Sequence, residues 1–148
     1  MKILSDAFGD DIKKMTLVSM KLEDEDQVKE AVKGCKYIIH SASPFFLETP
    51  GDYKESVLKP AKEGLKNILE QARESGTVER VVYTSSSICV TDQTKGEKTF
   101  GPDDYTEENS QMNAYYISKI QGEAYVQAFL KDQEESKDDK IRKIEVVT

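Results

Sequence analysis

The sequence predicts an α/β protein built on a parallel sheet, and three observations carry that expectation. Short runs of β-formers recur along the chain at Thr16-Leu17-Val18, Lys36-Tyr37-Ile38-Ile39-His40 and Glu79 to Ser85. Between them lie stretches whose apolar residues return at steps of three and four, the period of a helix with one buried face. These stretches are long enough to carry the chain back across a sheet, so consecutive strands can run parallel.

Each element has its own justification. Thr16-Leu17-Val18 is apolar and β-branched enough for a first short strand. Glu23 to Lys33 follows as a helix with Val28, Ala31 and Val32 on one face, and Gly34 stops it. Lys36 to His40 reads as a buried strand. Ser41 to Asp52 contains Pro44, Pro50 and Gly51 and reads as a loop. Tyr53 to Ser75 is helical, with Val57, Ala61, Leu65, Ile68, Leu69 and Ala72 in register and Gly76 at its end. Pro60 either kinks that helix or marks its true start. Glu79 to Ser85 is a second buried strand, around Val81, Val82 and Tyr83. Thr91 to Gln111 is a long polar loop, of the kind that is functional or disordered when it occurs in a compact domain. Asn113 to Leu130 is a third helix, with Tyr116, Ile120, Ala124 and Phe129 near one face. Lys131 to Lys140 is charge-dense, has no apolar residue and reads as a solvated linker. Ile144 to Thr148 begins a last strand.

Bulk properties narrow the function classes. The 148 residues suit one domain, 1–148. Lys plus Arg number 21 against 28 Asp plus Glu, a net charge of -7 without a basic stripe, which argues against a nucleic-acid partner. No segment approaches the length of apolar sequence that spans a membrane, and the amino terminus has no signal-peptide plan, so the expected location is cytoplasmic. Two cysteines, Cys35 and Cys89, without close spacing fit a reducing compartment. A single histidine, His40, excludes most histidine-based zinc sites, and no metal is expected.

In a parallel sheet, ligands bind beyond the carboxyl ends of the strands. The residues in that position are Ser41-Ala42-Ser43-Pro44 and Ser85-Ser86-Ser87. The third helix opens on Tyr115-Tyr116-Ile117-Ser118-Lys119, which sets a Tyr and a Lys four apart on one face. A nearby cation lowers the pKa of a phenol from about 10 and lets it exchange a proton with a carbonyl or alcohol near neutral pH. A serine hydroxyl at a neighbouring strand end can bind the same oxygen, and the hydride must come from a cofactor.

With these residues in view, the chain resembles the extended short-chain dehydrogenase/reductases, a family related to the NAD-dependent epimerase/dehydratases, and within it the dihydroflavonol reductase and cinnamoyl-CoA reductase branch. The resemblance covers nearly the whole chain. It rests on Gly34 to Phe45, on Val57 to Gly64 with Asn67-Ile68-Leu69, on Arg80 to Ser87, on Tyr105-Thr106-Glu107-Glu108, and on Tyr115 with Lys119. It implies a Rossmann-like sheet with flanking helices. It implies that Tyr115 is the proton donor or acceptor and that Lys119 binds the nicotinamide ribose and tunes Tyr115. Ser86, with Ser85 and Ser87 as lesser candidates, would hold the substrate carbonyl. Ala42, Ser43 and Pro44 would line the cofactor, NADP or else NAD. Asn67 is a further candidate, with a plain helix-face amide as the other reading.

The chain also departs from that family. No G-x-x-G-x-x-G or G-x-G-x-x-G occurs in it, and Lys21 stands where an Asp near the adenine is usual. In the order 3-2-1-4-5-6 the two strands that would accompany that loop lie between Leu17 and Ile38, a gap of about 14 Å. The edge at Ile38 and Ile39 is then expected to be unpaired and open to a protein partner or a second copy. Three function classes follow: a carbonyl reductase or alcohol dehydrogenase, a non-catalytic assembly subunit, and sugar-nucleotide epimerase or hydroxysteroid dehydrogenase chemistry on the same fold.

Overall fold

The computed structural model describes residues 2–44, 51–91, 96, 98–101, 103–110, 112–137 and 143–148. Parts of the three sequence-predicted connections, together with Phe45 and Gln111, lie outside the described residues.

The architecture is a parallel three-stranded sheet with helices packed against it. In chain order the elements are α1 (Lys2–Phe8), α2 (Glu25–Val32), β1 (Tyr37–His40), α3 (Lys59–Glu74), β2 (Arg80–Tyr83), α4 (Ala114–Glu135) and β3 (Glu145–Val147). The strands lie in the order β1-β2-β3, with Ile38 beside Val81, His40 beside Tyr83, and Val81 beside Val146. Each crossover is a helix, as parallel neighbours require.

Side-chain alternation along the strands divides the sheet into two faces. Ile38, Val81, Tyr83 and Val146 join the core with Val28 and Val32 of α2, Leu65, Ile68, Leu69 and Ala72 of α3, and Val126 and Phe129 of α4. Burying a Val, Leu, Ile or Phe side chain contributes about 1.5–3 kcal/mol, so α3, with Leu65, Ile68 and Leu69 buried beside the smaller Ala72, is the centre of the packing. On the opposite face Tyr37, Ile39, Val82 and Val147 are exposed, Ile39 to 76%. The outer edge of β1 has no neighbouring strand among the described residues, as the sequence leads one to expect.

The expected strand at Thr16-Leu17-Val18 does not form. Residues 15–20 carry no regular structure, and Leu17 and Val18 are 54% and 64% exposed. A strand needs a neighbour for its ladder, and here the following residue that anchors the chain is held by a helix instead. Leu22 packs so closely on α3 that a β-carbon at Gly64 would lie 2.9 Å from its own, and the Leu22 carbonyl accepts from Asn67 Nδ2 at 2.8 Å. Ahead of it lie α1 and a 3-10 turn at Gly9–Lys14. The ion pairs there, Lys13–Asp10 and Lys14–Asp11, are exposed and contribute little.

Pro60 sits in the first turn of α3, and a wide π-type turn at Lys54–Leu58 leads into it without a break. Proline lacks the N–H and its ring crowds the carbonyl four residues back, so a widened turn relieves both problems. A Gly34 φ of 75° and a Gly76 φ of 67° end the neighbourhoods of α2 and α3 in the left-handed region that glycine tolerates.

The last helix corrects two expectations. It runs to Glu135, through the first half of the expected linker. Its final turn is held by Gln133, which is buried and acts as a strand backbone: its Nε2 donates to the Ile144 carbonyl at 3.2 Å and its Oε1 accepts from the Ile144 N–H at 2.9 Å. The face that packs keeps the expected Phe129 and is otherwise different. Ser118, Lys119, Gly122, Glu123, Val126, Phe129 and Gln133 are buried, whereas Tyr116 and Ile120 are half-buried and Ala124 is exposed. Polar side chains with partners occupy positions that hydrophobicity alone assigns to solvent. Gln133→Ala strands the buried Ile144 N–H, and we expect it to cost about 1–3 kcal/mol, read as a lowered urea midpoint with an unchanged slope.

Candidate active site at the carboxyl ends of the strands

The first turn of α4 is set by Asn113, whose side-chain oxygen accepts from the Tyr116 N–H at 2.9 Å. That cap fixes the rotation of the helix and carries Lys119 onto the end of β2. Lys119 is 3% exposed, and its Nζ donates to the Thr84 carbonyl at 2.7 Å. The ammonium lies 5.1 Å from the centre of the Tyr83 ring and 5.8 Å from that of Tyr115. No carboxylate pairs with it among the described residues. Burial pulls its pKa down.

Tyr115 is half-buried and meets Tyr116 edge-on, with ring centres 6.4 Å apart. The structure therefore brings the sequence-predicted Tyr and Lys together. It places Ser86 two residues beyond Thr84, at the end of the same strand, with extended backbone (φ -153°, ψ 146°) leading into a 3-10 turn at Ser87–Cys89. Ser85, the lesser candidate, is committed elsewhere: its Oγ donates to Glu123 Oε2 at 2.7 Å. Ser87 is exposed in the turn. Beyond β1, Ala42 is exposed and Ser43 and Pro44 are half-buried, so this loop is open toward solvent on the same end of the sheet. Asn67 ties α3 to Leu22, which accounts for it as a structural amide. Lys21 is exposed, and its backbone N–H binds Gln27.

Three contributors were not singled out from sequence. Glu123 is buried and gathers three donors: Ser85, Gln127 at 3.2 Å and Thr148 at 3.1 Å. It thus ties α4 to the ends of both β2 and β3, and its spacing of four from Lys119 was the available signal. Tyr83 lies under Lys119, and His40 stacks on Tyr83 with ring centres 5.8 Å apart. The loop before α4 is strapped down by Thr106, whose N–H donates to the Cys89 carbonyl at 2.8 Å, and by Glu108, which accepts from Gln121 at 2.9 Å. Cys89 is buried and burial raises its pKa, so it is a packed thiol and not a nucleophile. Among the described residues no cluster of His, Cys, Asp and Glu fits a metal ion, and no helix is long and apolar enough to cross a membrane.

A parallel sheet, a serine turn after its second strand and a Tyr–Lys pair on the helix that follows define a protein of the extended short-chain dehydrogenase/reductase class. The chain belongs to the 3-beta hydroxysteroid dehydrogenase/isomerase family, whose profile matches residues 3–134. Among curated proteins it is similar to anthocyanidin reductase of Arabidopsis thaliana, 32% identical over 119 residues that cover 75% of this chain and 35% of the relative. It is likewise 32% identical to dihydroflavonol 4-reductase of Solanum lycopersicum, over 75% of this chain and 28% of that protein. Among solved structures it superposes on yeast methylglyoxal/isovaleraldehyde reductase Gre2 complexed with NADPH, with a TM-score of 0.78 and 28% identity, over 98% of this chain and 45% of that one. The chain thus spans about a third of the length of the curated relatives it matches.

Burial drives the His40 pKa down to about 4, and the Lys119 charge adds to the effect. In the unfolded chain a histidine titrates near 6.5. Above about pH 6.5 both states hold a neutral imidazole and its contribution to stability is complete. Between about 6.5 and 4 the unfolded state takes up a proton that the folded state refuses, so stability falls with falling pH, by about 3 kcal/mol in all. Urea unfolding at pH 7.5 and 4.5 should show this loss, and His40→Phe, which keeps the stack on Tyr83, should remove that part of it.

Proposed function

We propose that residues 1–148 form a single partial NAD(P)-binding domain, the catalytic portion of an NADP(H)-dependent oxidoreductase that interconverts a carbonyl and an alcohol. The observation that carries this reading is the buried, carboxylate-free Lys119 beneath the Tyr115 ring at the carboxyl end of the sheet. Keeping an unpaired ammonium out of water is costly, and a protein retains such a group where its charge has work to do.

The residues present fit the ribose and nicotinamide part of a dinucleotide. Lys119 has three N–H donors and gives one to Thr84, which leaves donors for vicinal ribose hydroxyls. Ala42, Ser43 and Pro44 border the same end of the sheet as an open, small-residue wall. When bound, the nicotinamide ring supplies or accepts the hydride. Tyr115 Oη passes the proton to the carbonyl oxygen in reduction and takes it back in oxidation. Lys119 brings its positive charge to within 5.8 Å of the Tyr115 ring centre, where the proton is exchanged, and Ser86 Oγ holds the substrate oxygen in place. The pyrophosphate has no glycine loop among these residues, so this reading assigns them only the reacting half of the cofactor site.

The reductase relatives favour a dihydroflavonol reductase-like carbonyl substrate, and the family description favours a hydroxysteroid as the second substrate class. A panel of a dihydroflavonol, short ketoaldehydes and a hydroxysteroid separates the two. In the protein as expressed, Tyr115→Phe should lower kcat by about 10²–10⁴-fold while NADPH affinity, followed by fluorescence, stays close to that of the unaltered protein. Undiminished turnover in that variant would remove Tyr115 from the mechanism. A folded sample that binds no NADPH would leave the assembly-subunit class as the better account.

A further inference from the structure

We infer that Tyr83 is a positioning residue for Lys119: its ring face takes the place of a counter-ion and leaves the lysine's positive field free to act on Tyr115. The inference rests on the proposed pairing of Tyr115 and Lys119 and adds a residue to it.

A lysine that is 3% exposed ordinarily has a carboxylate beside it. The groups that face Lys119 come from four elements. They are His40 from β1, Tyr83 from β2, Cys89 from the 3-10 turn, and Tyr115 from α4. His40, Tyr83 and Cys89 are neutral in the working range, because burial lowers the imidazole and raises the phenol and the thiol. Glu123 is one turn along the helix and takes its hydrogen bonds from Ser85, Gln127 and Thr148, with no direct contact to the Lys119 ammonium. What remains for the ammonium is the Thr84 carbonyl, the Tyr83 ring 5.1 Å away and, a little farther at 5.8 Å, the Tyr115 ring on which it acts.

The two kinds of partner differ in what they do at a distance. A carboxylate cancels the lysine charge for every group beyond it, because its own charge acts over the same range. An aromatic ring attracts the cation through its quadrupole, which fades much faster with distance. Tyr83 therefore stabilises the charged lysine without neutralising it as seen from Tyr115. The ring is also well fixed. It is 6% exposed, stacked against His40, and its hydroxyl rests where Gly122 has no side chain, so closely that any β-carbon there would collide with it.

The test replaces Tyr83 with phenylalanine and then with phenylalanines bearing one, three and five ring fluorines, in the protein as expressed. Tyr83→Phe keeps the ring face and the fluorines weaken it with little change of shape, so folding is preserved across the series. Two quantities are read: the titration of Lys119 by NMR of carbon-labelled lysine, assigned with Lys119→Met, and the pH midpoint of alcohol oxidation with NADP. Tyr83→Phe should match the unaltered protein. With added fluorine the Lys119 midpoint should fall and the oxidation midpoint should rise, each by about one pH unit over the series. A Lys119 midpoint that does not move across the series overturns the inference, even if the protein turns over substrate. A Lys119 midpoint that moves in a protein without turnover leaves the positioning intact and overturns the catalytic reading instead.

Discussion

The ammonium of Lys119, buried against the end of β2, is the constraint around which this structure is arranged. A charge withdrawn from water must be met at short range or it neutralises. Thr84 can meet it only if β2 ends where it does and α4 crosses that end with the right rotation. The Asn113 cap supplies the rotation. Gly122 supplies the closeness, since only a residue without a side chain lets the Tyr83 hydroxyl fit against the helix. The pairing of Tyr115 with Lys119 follows from these placements, because residues four apart share a face wherever that face is turned.

The same principle explains why the buried face of α4 is so polar. Glu123 and Gln133 each replace an apolar side chain with one that answers backbone or hydroxyl groups from the strands. A buried carboxylate or amide is tolerable only with its partners present, and here each has them. The helix is thereby joined to the sheet by directed bonds at three levels, Lys119, Glu123 and Gln133, with Val126 and Phe129 packed between. Such bonds fix a register that apolar packing alone leaves free to slide.

Much of this was legible in the sequence. The strands at β1 and β2, the helices α2 and α3 with their buried faces, and the closing glycines were all readable, because each is governed by local periodicity and by backbone preferences at single residues. The buried face of α4 was not. Its polar residues look solvent-facing until the strands that bind them are in place, and residues 131–135 of the expected linker are helical for the same reason. Thr16-Leu17-Val18 shows the converse error. Its residue types favour a strand, but a strand exists only with a neighbour, and Leu22 is tied to α3.

The sequence by itself determined the family, the order of the elements from α2 onward and the identity of Ser86, Tyr115 and Lys119 as the candidates, since these depend on residue types and on spacing along the chain. Only the tertiary structure decided how the charge of Lys119 is accommodated, that Tyr83 lies beneath it, that Ser85 is bound by Glu123 while Ser86 leads into the turn, and that one face of the sheet is covered and the other open. Those outcomes depend on distances between residues far apart in the chain. Local propensity carries no information about such distances until the backbone has closed around them.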